Sequence, residues 1–170
     1  CDDNSEVLMV NNVITNNTAS EGGGLSVRGG SNVALINTVM WGNDAFITGD
    51  QIQNLSSVTV SYCDIENGWT GVGNIDQNPL FRDENNGDFH LQSMDCGDPA
   101  NSPCIDGGDP ELMDGNLDCD SGLGESRSDM GAYGWIETEI PQPNLHLEPV
   151  SLAFDTLAPG ESFSLTLNLS

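Results

Sequence analysis

Between residues 114 and 125 the chain reads Asp114-Gly-Asn116-Leu-Asp118-Cys119-Asp120-Ser-Gly-Leu-Gly-Glu125, an alternation of oxygen-bearing side chains. Asp114, Asn116, Asp118, Asp120 and Glu125 fall at the first, third, fifth, seventh and twelfth places, the spacing at which an EF-hand-like loop wraps Ca2+. A hard cation suits such donors, because carboxylate and carbonyl oxygens satisfy it and its charge relieves repulsion among clustered Asp. The sixth place, where that loop needs Gly for its sharp turn, is Cys119, and no helical pattern flanks the stretch. The expectation is therefore a looser Ca2+ site on Asp114, Asn116, Asp118 and Asp120, with a solvated acidic loop as the alternative.

A second chemistry belongs to the aromatic rings. Trp41, Tyr62 and Trp69 are candidates to stack on sugar rings, and packing inside the core is the competing use of the same side chains. Charge narrows the partners. With 27 acidic residues, three arginines and a net charge of −24, the chain repels phosphate backbones and anionic headgroups. Nucleic acid is excluded as a partner, and no apolar run is long enough for direct membrane insertion.

The elements that must position these groups show in an internal repeat. Residues 1–17 align with 27–43 at a shift of 26, so that Ser5 meets Ser31, Val7 meets Val33, Asn11 meets Asn37, Val13 meets Val39 and Asn17 meets Asn43. A third copy, shifted by 25, places Val58 on Val33 and Ile65 on Met40. Each copy consists of short β-branched runs broken by Asn, Gly, Ser and Asp, with nothing at helical period. Such a unit cannot bury its apolar face alone, but stacked copies share a core, which predicts a β-solenoid. Asn17 and Asn43 would then form an amide ladder or serve as left-handed turn residues. In that register Cys1 falls on Val27, so the chain is expected to open in mid-turn and to leave a solenoid end free for self-association.

After Trp69 the rhythm gives way to three ordered motifs: Ile75-x-x-x-Pro79-Leu80-Phe81-x-Asp83 with Gly87-Asp88-Phe89-x-Leu91, then Ser102-Pro-Cys104-Ile-Asp106-Gly-Gly-Asp109-Pro110, then Asp129-Met130-Gly131-Ala-Tyr133. Together they resemble the C-terminal region of secreted bacterial right-handed parallel β-helix proteins of the pectate-lyase-like superfamily, including the choice-of-anchor group, over roughly residues 1–135. The resemblance implies an all-β fold: solenoid coils at 1–73 and a C-terminal cap at 74–135. Leu80, Phe81, Phe89, Leu91, Ile105, Met130 and Tyr133 would cover the open core, and Asp106, Asp109 and Asp129 would bind turn amides.

Enzymes of that superfamily hold Ca2+ on carboxylates beside an Arg or Lys base, and related hydrolases use paired carboxylates, as the resemblance implies. Either chemistry needs its groups on neighbouring coils at the repeat spacing. Here Asp64 has Val13 and Val39 as equivalents, and Arg28 is the one basic residue of the coils. No catalytic residue is assigned. The five cysteines lack CxxC spacing; Cys63 reads as a small core residue, while Cys96, Cys104 and Cys119 leave a disulfide open, its pairing unspecified.

Pro141 and Pro143 mark an extended linker at 136–144, and beyond it the alternation of Leu165, Leu167 and Leu169 reads as strand. Residues 145–170 resemble the opening of an Ig-like β-sandwich, which is expected to be truncated after two strands. The functional expectation is a structural and adhesive segment of a secreted, cell-surface-associated protein that contacts polysaccharide. The alternatives are the rear of a polysaccharide lyase or glycoside hydrolase with its active site upstream, and a calcium-dependent self-assembling module.

Overall fold

Short β-branched runs bounded by Asn, Gly and Asp favour brief extended segments over helices. The computed structural model describes residues 1–114 and 127–134, which lie in a unit spanning Cys1–Glu137, and they are all-β apart from two single-turn 3-10 helices at Glu84–Asn86 and Met94–Cys96. Asn116, Asp118 and Asp120 of the expected Ca2+ site, the linker at 136–144 and the sandwich at 145–170 lie outside the described residues.

The first ten strands run β1 (Glu6–Val10), β2 (Val13–Thr15), β3 (Thr18–Glu21), β4 (Leu25–Val27), β5 (Asn32–Ile36), β6 (Val39–Trp41), β7 (Asp44–Thr48), β8 (Ile52–Asn54), β9 (Ser57–Ser61) and β10 (Asp64–Ile65). Each pairs in parallel with the strand four places further on, giving sheets β1-β5-β9, β2-β6-β10, β3-β7 and β4-β8. Val7 pairs with Val33 and Val33 with Val58; Ile14 and Ile65 both pair with Met40. These are the partners the repeat predicts. A later hairpin of β11 (Phe81–Asp83) and β12 (Asp88–Leu91) is antiparallel.

The spacing between equivalent residues is not constant. It is 26 from Ser5 to Ser31, 27 from Ser26 to Gln53 and 25 from Thr38 to Cys63. A register shift between Ala19 and Glu21 in the β3-β7 pair takes up one of these differences, and the strands on either side stay matched.

Two apolar clusters sit on opposite faces of the β2-β6-β10 sheet. Met40 and Ile65 point into the first with Leu25, Val27, Val33, Leu35, Ile52, Val60 and Cys63, so three sheets, β1-β5-β9, β2-β6-β10 and β4-β8, contribute to one core. Val39, one residue along β6, points the other way and joins Phe81, Leu91, Cys104 and Met130, with Val13, Phe89 and Ile105 packed around them. Period-two alternation makes adjacent β6 residues serve different cores. The motif residues after Phe81 were expected to close the open end of the stacked repeats. Phe81, Phe89, Leu91, Ile105 and Met130 pack with Val13 and Val39 of the β2-β6-β10 sheet. Leu80 is half-buried with φ 52°, and Tyr133 stacks on His90 at 3.7 Å between ring centroids.

Left-handed corners recur in register. Asn11, Asn37 and Tyr62 have φ of 52°, 49° and 51°, and Asn16, Gly42 and Asn67 have 56°, 66° and 69°. Asn tolerates this region because its short polar side chain finds local partners. The Asn37 side chain is fully buried; its Nδ2 donates to Ser128 Oγ at 3.0 Å and its Oδ1 accepts from Asp109 N at 2.7 Å. Gly131 N donates to the Asn37 carbonyl at 2.7 Å, and the Asn11 amide reaches the Asp129 carbonyl at 3.0 Å. The corner asparagines thus fasten the segment 127–134 to the parallel sheets.

Candidate functional site

Two turns that leave the sheets on one side, residues 50–52 and 65–69, line an open cavity of about 140 Å3. Its apolar floor is Ile52 and Ile65, and half-buried Trp69, packed on the first core, forms a wall. The polar wall grows out of the expected amide ladder. Asn17 Nδ2 donates to Asn43 Oδ1 at 3.0 Å, Asn43 Nδ2 donates to Gln51 Oε1 at 2.6 Å, and Gln51 Nε2 donates to Glu66 Oε2 at 2.7 Å. Asn43 and Gln51 are buried, so their amides must be paired, and each fixes the next. The ladder reading of Asn17 and Asn43 therefore stands, while the left-handed residue of that corner is the neighbouring Asn16.

At the end of this chain Glu66 Oε2 also accepts from Gly42 N at 2.8 Å. Asp50 Oδ1 accepts from Ala45 N at 3.1 Å, covering one amide of β7. Among the described residues, Glu66 Oε1, Asp50 Oδ2 and the Asn67 side-chain amide have no hydrogen-bond partner, and all three belong to residues lining the cavity. The arrangement offers one ring-sized apolar wall, two held carboxylates and an amide. It can bind; it has no nucleophile set beside a base.

The three aromatic candidates are not brought together. Trp69 lines this cavity, whereas Trp41 packs against the second apolar cluster. Tyr62 lies against Gly73, where an added Cβ would come 2.1 Å from the ring, and the Arg127 guanidinium sits 5.9 Å from its centroid. Packing occupies those two rings. Asp114 is buried, and its Oδ2 accepts from Asp129 N at 2.9 Å, a tie between the segments on either side of the acidic stretch. No group of three or more His, Cys, Asp or Glu is placed to hold a metal ion among the described residues.

The structure adds the burial of Asp64, which the alignment with two valines does not by itself explain. Asp64 occupies the place of Val13 and Val39 yet is fully buried, its Oδ1 accepting from Gln77 N at 3.1 Å and its Oδ2 from the Cys104 thiol at 3.3 Å. Burial pushes its pKa from an ordinary 3.8 up to about 6, against the lowering effect of those two bonds. Burial likewise raises the Cys63 thiol to about 12 and the Cys104 thiol well above its usual value, so neither is a nucleophile. Cys63 is the core residue expected, and Cys96 is disulfide-bonded.

The three arginines are all engaged away from the cavity. Arg28 bonds Ser26 and Gln53, Arg82 pairs with Asp98 at 2.9 Å, and Arg127 donates to Gly108 O at 2.7 Å. The Arg82 guanidinium and, more strongly, the Ser93 amide hold the Asp98 carboxyl below its usual pKa. The chain matches no protein-family model, no curated protein and no solved structure. The likeness to pectate-lyase-like proteins rests on the three ordered motifs alone.

Proposed function

We propose that this chain forms coils of a right-handed parallel β-helix with its flanking C-terminal segment, and serves as a rigid structural and adhesive part of an exported surface protein that contacts polysaccharide. The observation that carries the reading is the cavity beside Trp69, whose polar wall is preorganised by a hydrogen-bonded ladder through three repeats, its middle members Asn43 and Gln51 buried. Parallel sheets whose equivalent strands lie one repeat apart support the β-helix, since each repeat lends its apolar face to a common core. A disulfide-bonded Cys96 and a charge of −24 suit an oxidising, extracellular setting.

A catalytic reading has less support. Asp64 is flanked in its sheet by Val39 and then Val13, so no carboxylate pair lies across neighbouring strands there. The test is retention of the full chain on insoluble cellulose, chitin, pectin and peptidoglycan, compared with Trp69→Ala. Retention on at least one polymer that Trp69→Ala abolishes supports adhesion through this cavity. Failure to be retained on any of them overturns the adhesive reading.

A further inference from the structure

We infer that the cavity beside Trp69 is a subsite for a single pyranose unit bearing a free amine, a hexosamine within a longer glycan, and that it discriminates against uronic acids. The inference rests on the polysaccharide reading above and adds the chemical class of sugar. At about 140 Å3 the space is smaller than the roughly 300–1,000 Å3 of pockets that enclose a whole ligand. One ring on Trp69, with its neighbours projecting into solvent, fits that size.

The charge at the site decides the class. Glu66 and Asp50 each commit one carboxylate oxygen to a backbone amide and leave the other without a partner among the described residues. An ammonium group in the cavity can make charge-assisted hydrogen bonds to these carboxylates, each of which is already tied to the backbone by its other oxygen. The Asn67 amide is left for a ring hydroxyl. A uronate carboxylate would meet the same two oxygens with no compensating cation, because the chain has no lysine and its three arginines are bound elsewhere.

Titration calorimetry on the full chain, without divalent ions and at physiological salt, tests this with three oligomers of equal length: glucosamine, cellulose and galacturonate. The expected order is glucosamine tighter than cello-oligomer by about tenfold, the worth of one charge-assisted bond, with no binding of galacturonate. Glu66→Gln with Asp50→Asn should bring glucosamine to parity with the cello-oligomer, and Trp69→Ala should abolish both. Glu6→Gln with Glu111→Gln, remote from the cavity, should leave the preference intact. An equal loss in that remote variant would reduce the preference to bulk attraction by an acidic protein and overturn the inference. Galacturonate binding as tightly as glucosamine would overturn it while leaving polysaccharide contact standing. Absence of binding by all three oligomers and by the insoluble polymers would sink both readings.

Discussion

The Cys104 thiol donates to Asp64 Oδ2 at 3.3 Å, joining the last strand of the β2-β6-β10 sheet to the flanking segment in a fully buried contact. Asp76, and the nearby thiols of Cys63 and Cys104, add no positive charge to that environment. The folded protein therefore binds the Asp64 proton more tightly than the unfolded chain does, with a pKa of about 6 against 3.8.

That difference fixes the sign of a pH effect. Between about pH 4 and 6 the folded state holds more protons, so the Asp64 contribution to stability is largest at the acidic end and is lost as pH rises through 6. Asp64→Asn keeps an acceptor for Gln77 N and removes the titration. Denaturant unfolding across pH 4 to 7 should show the variant gaining on the parent by an amount on the order of 2 kcal/mol by pH 7. Parallel curves would show that Asp64 is not buried as a carboxylate.

Asn37→Ala should be among the costliest single changes. It removes one hydrogen bond from Ser128 Oγ, which keeps the Asp129 and Gly134 carbonyls, leaves Asp109 N without its acceptor, and puts a β-carbon residue without local hydrogen bonding at φ 49°. One orphaned amide, one lost bond and the backbone penalty predict a loss of roughly 3 kcal/mol. Asn37→Gly, which removes only the backbone part, should recover about 1 kcal/mol of it, measured by the urea midpoint.

Glycines separate by what surrounds them. A Cβ at Gly23 would lie 2.4 Å from the Asp44 carbonyl oxygen and 2.6 Å from that of Asp50, so Gly23→Ala must push two backbones apart. Gly87, at φ 81°, has nothing within 4 Å, so Gly87→Ala carries only the left-handed penalty of about 1 kcal/mol. Thermal scans should find Gly87→Ala folded with a modestly lower Tm and Gly23→Ala severely destabilised. Equal effects would contradict the close approach of residues 23, 44 and 50.

Asp114→Ala should destabilise the protein by about 1–3 kcal/mol through loss of the bond from Asp129 N. The Ca2+ proposal for Asp114, Asn116, Asp118 and Asp120 adds a second expectation. Thermal unfolding at fixed ionic strength should then show a rise in Tm with Ca2+ in the parent and none in Asp118→Ala/Asp120→Ala. A loss in Asp114→Ala that is identical with Ca2+ and with chelator would assign that carboxylate a purely structural role.

Much of the strand register was legible because β-branched residues recur where strands stack: Val7, Val33 and Val58 can be aligned by eye, and they pair as aligned. The hydrophobic identity of Phe81, Leu91 and Met130 was also legible, but their destination was not. Whether an apolar residue closes an end or covers a flank depends on where the chain turns back, which composition does not encode. Asp64 shows the converse limit. Its alignment with two valines reads as a departure from a core pattern, yet only the positions of Gln77 N and the Cys104 thiol explain how a carboxyl is accommodated there. Trp69 was legible as an aromatic candidate. Its companions Glu66, Gln51 and Asp50 were not, because they come from different repeats and converge only when the turns stack.

The uneven spacing of the repeats bears on how such a chain can change over generations. Strand pairing fixes which residues stack, but the count of residues between strands drifts from 25 to 27 without disturbing the sheets that follow. Differences in length fall in one bulge of the β3-β7 pair and otherwise in the bends, while the remaining ladders keep their register. The bend from Val27 to Asn32 is one such place, two residues longer than its counterpart from Asn54 to Ser57. A lineage could lengthen or shorten a bend of this kind and leave the strand ladders on either side in place.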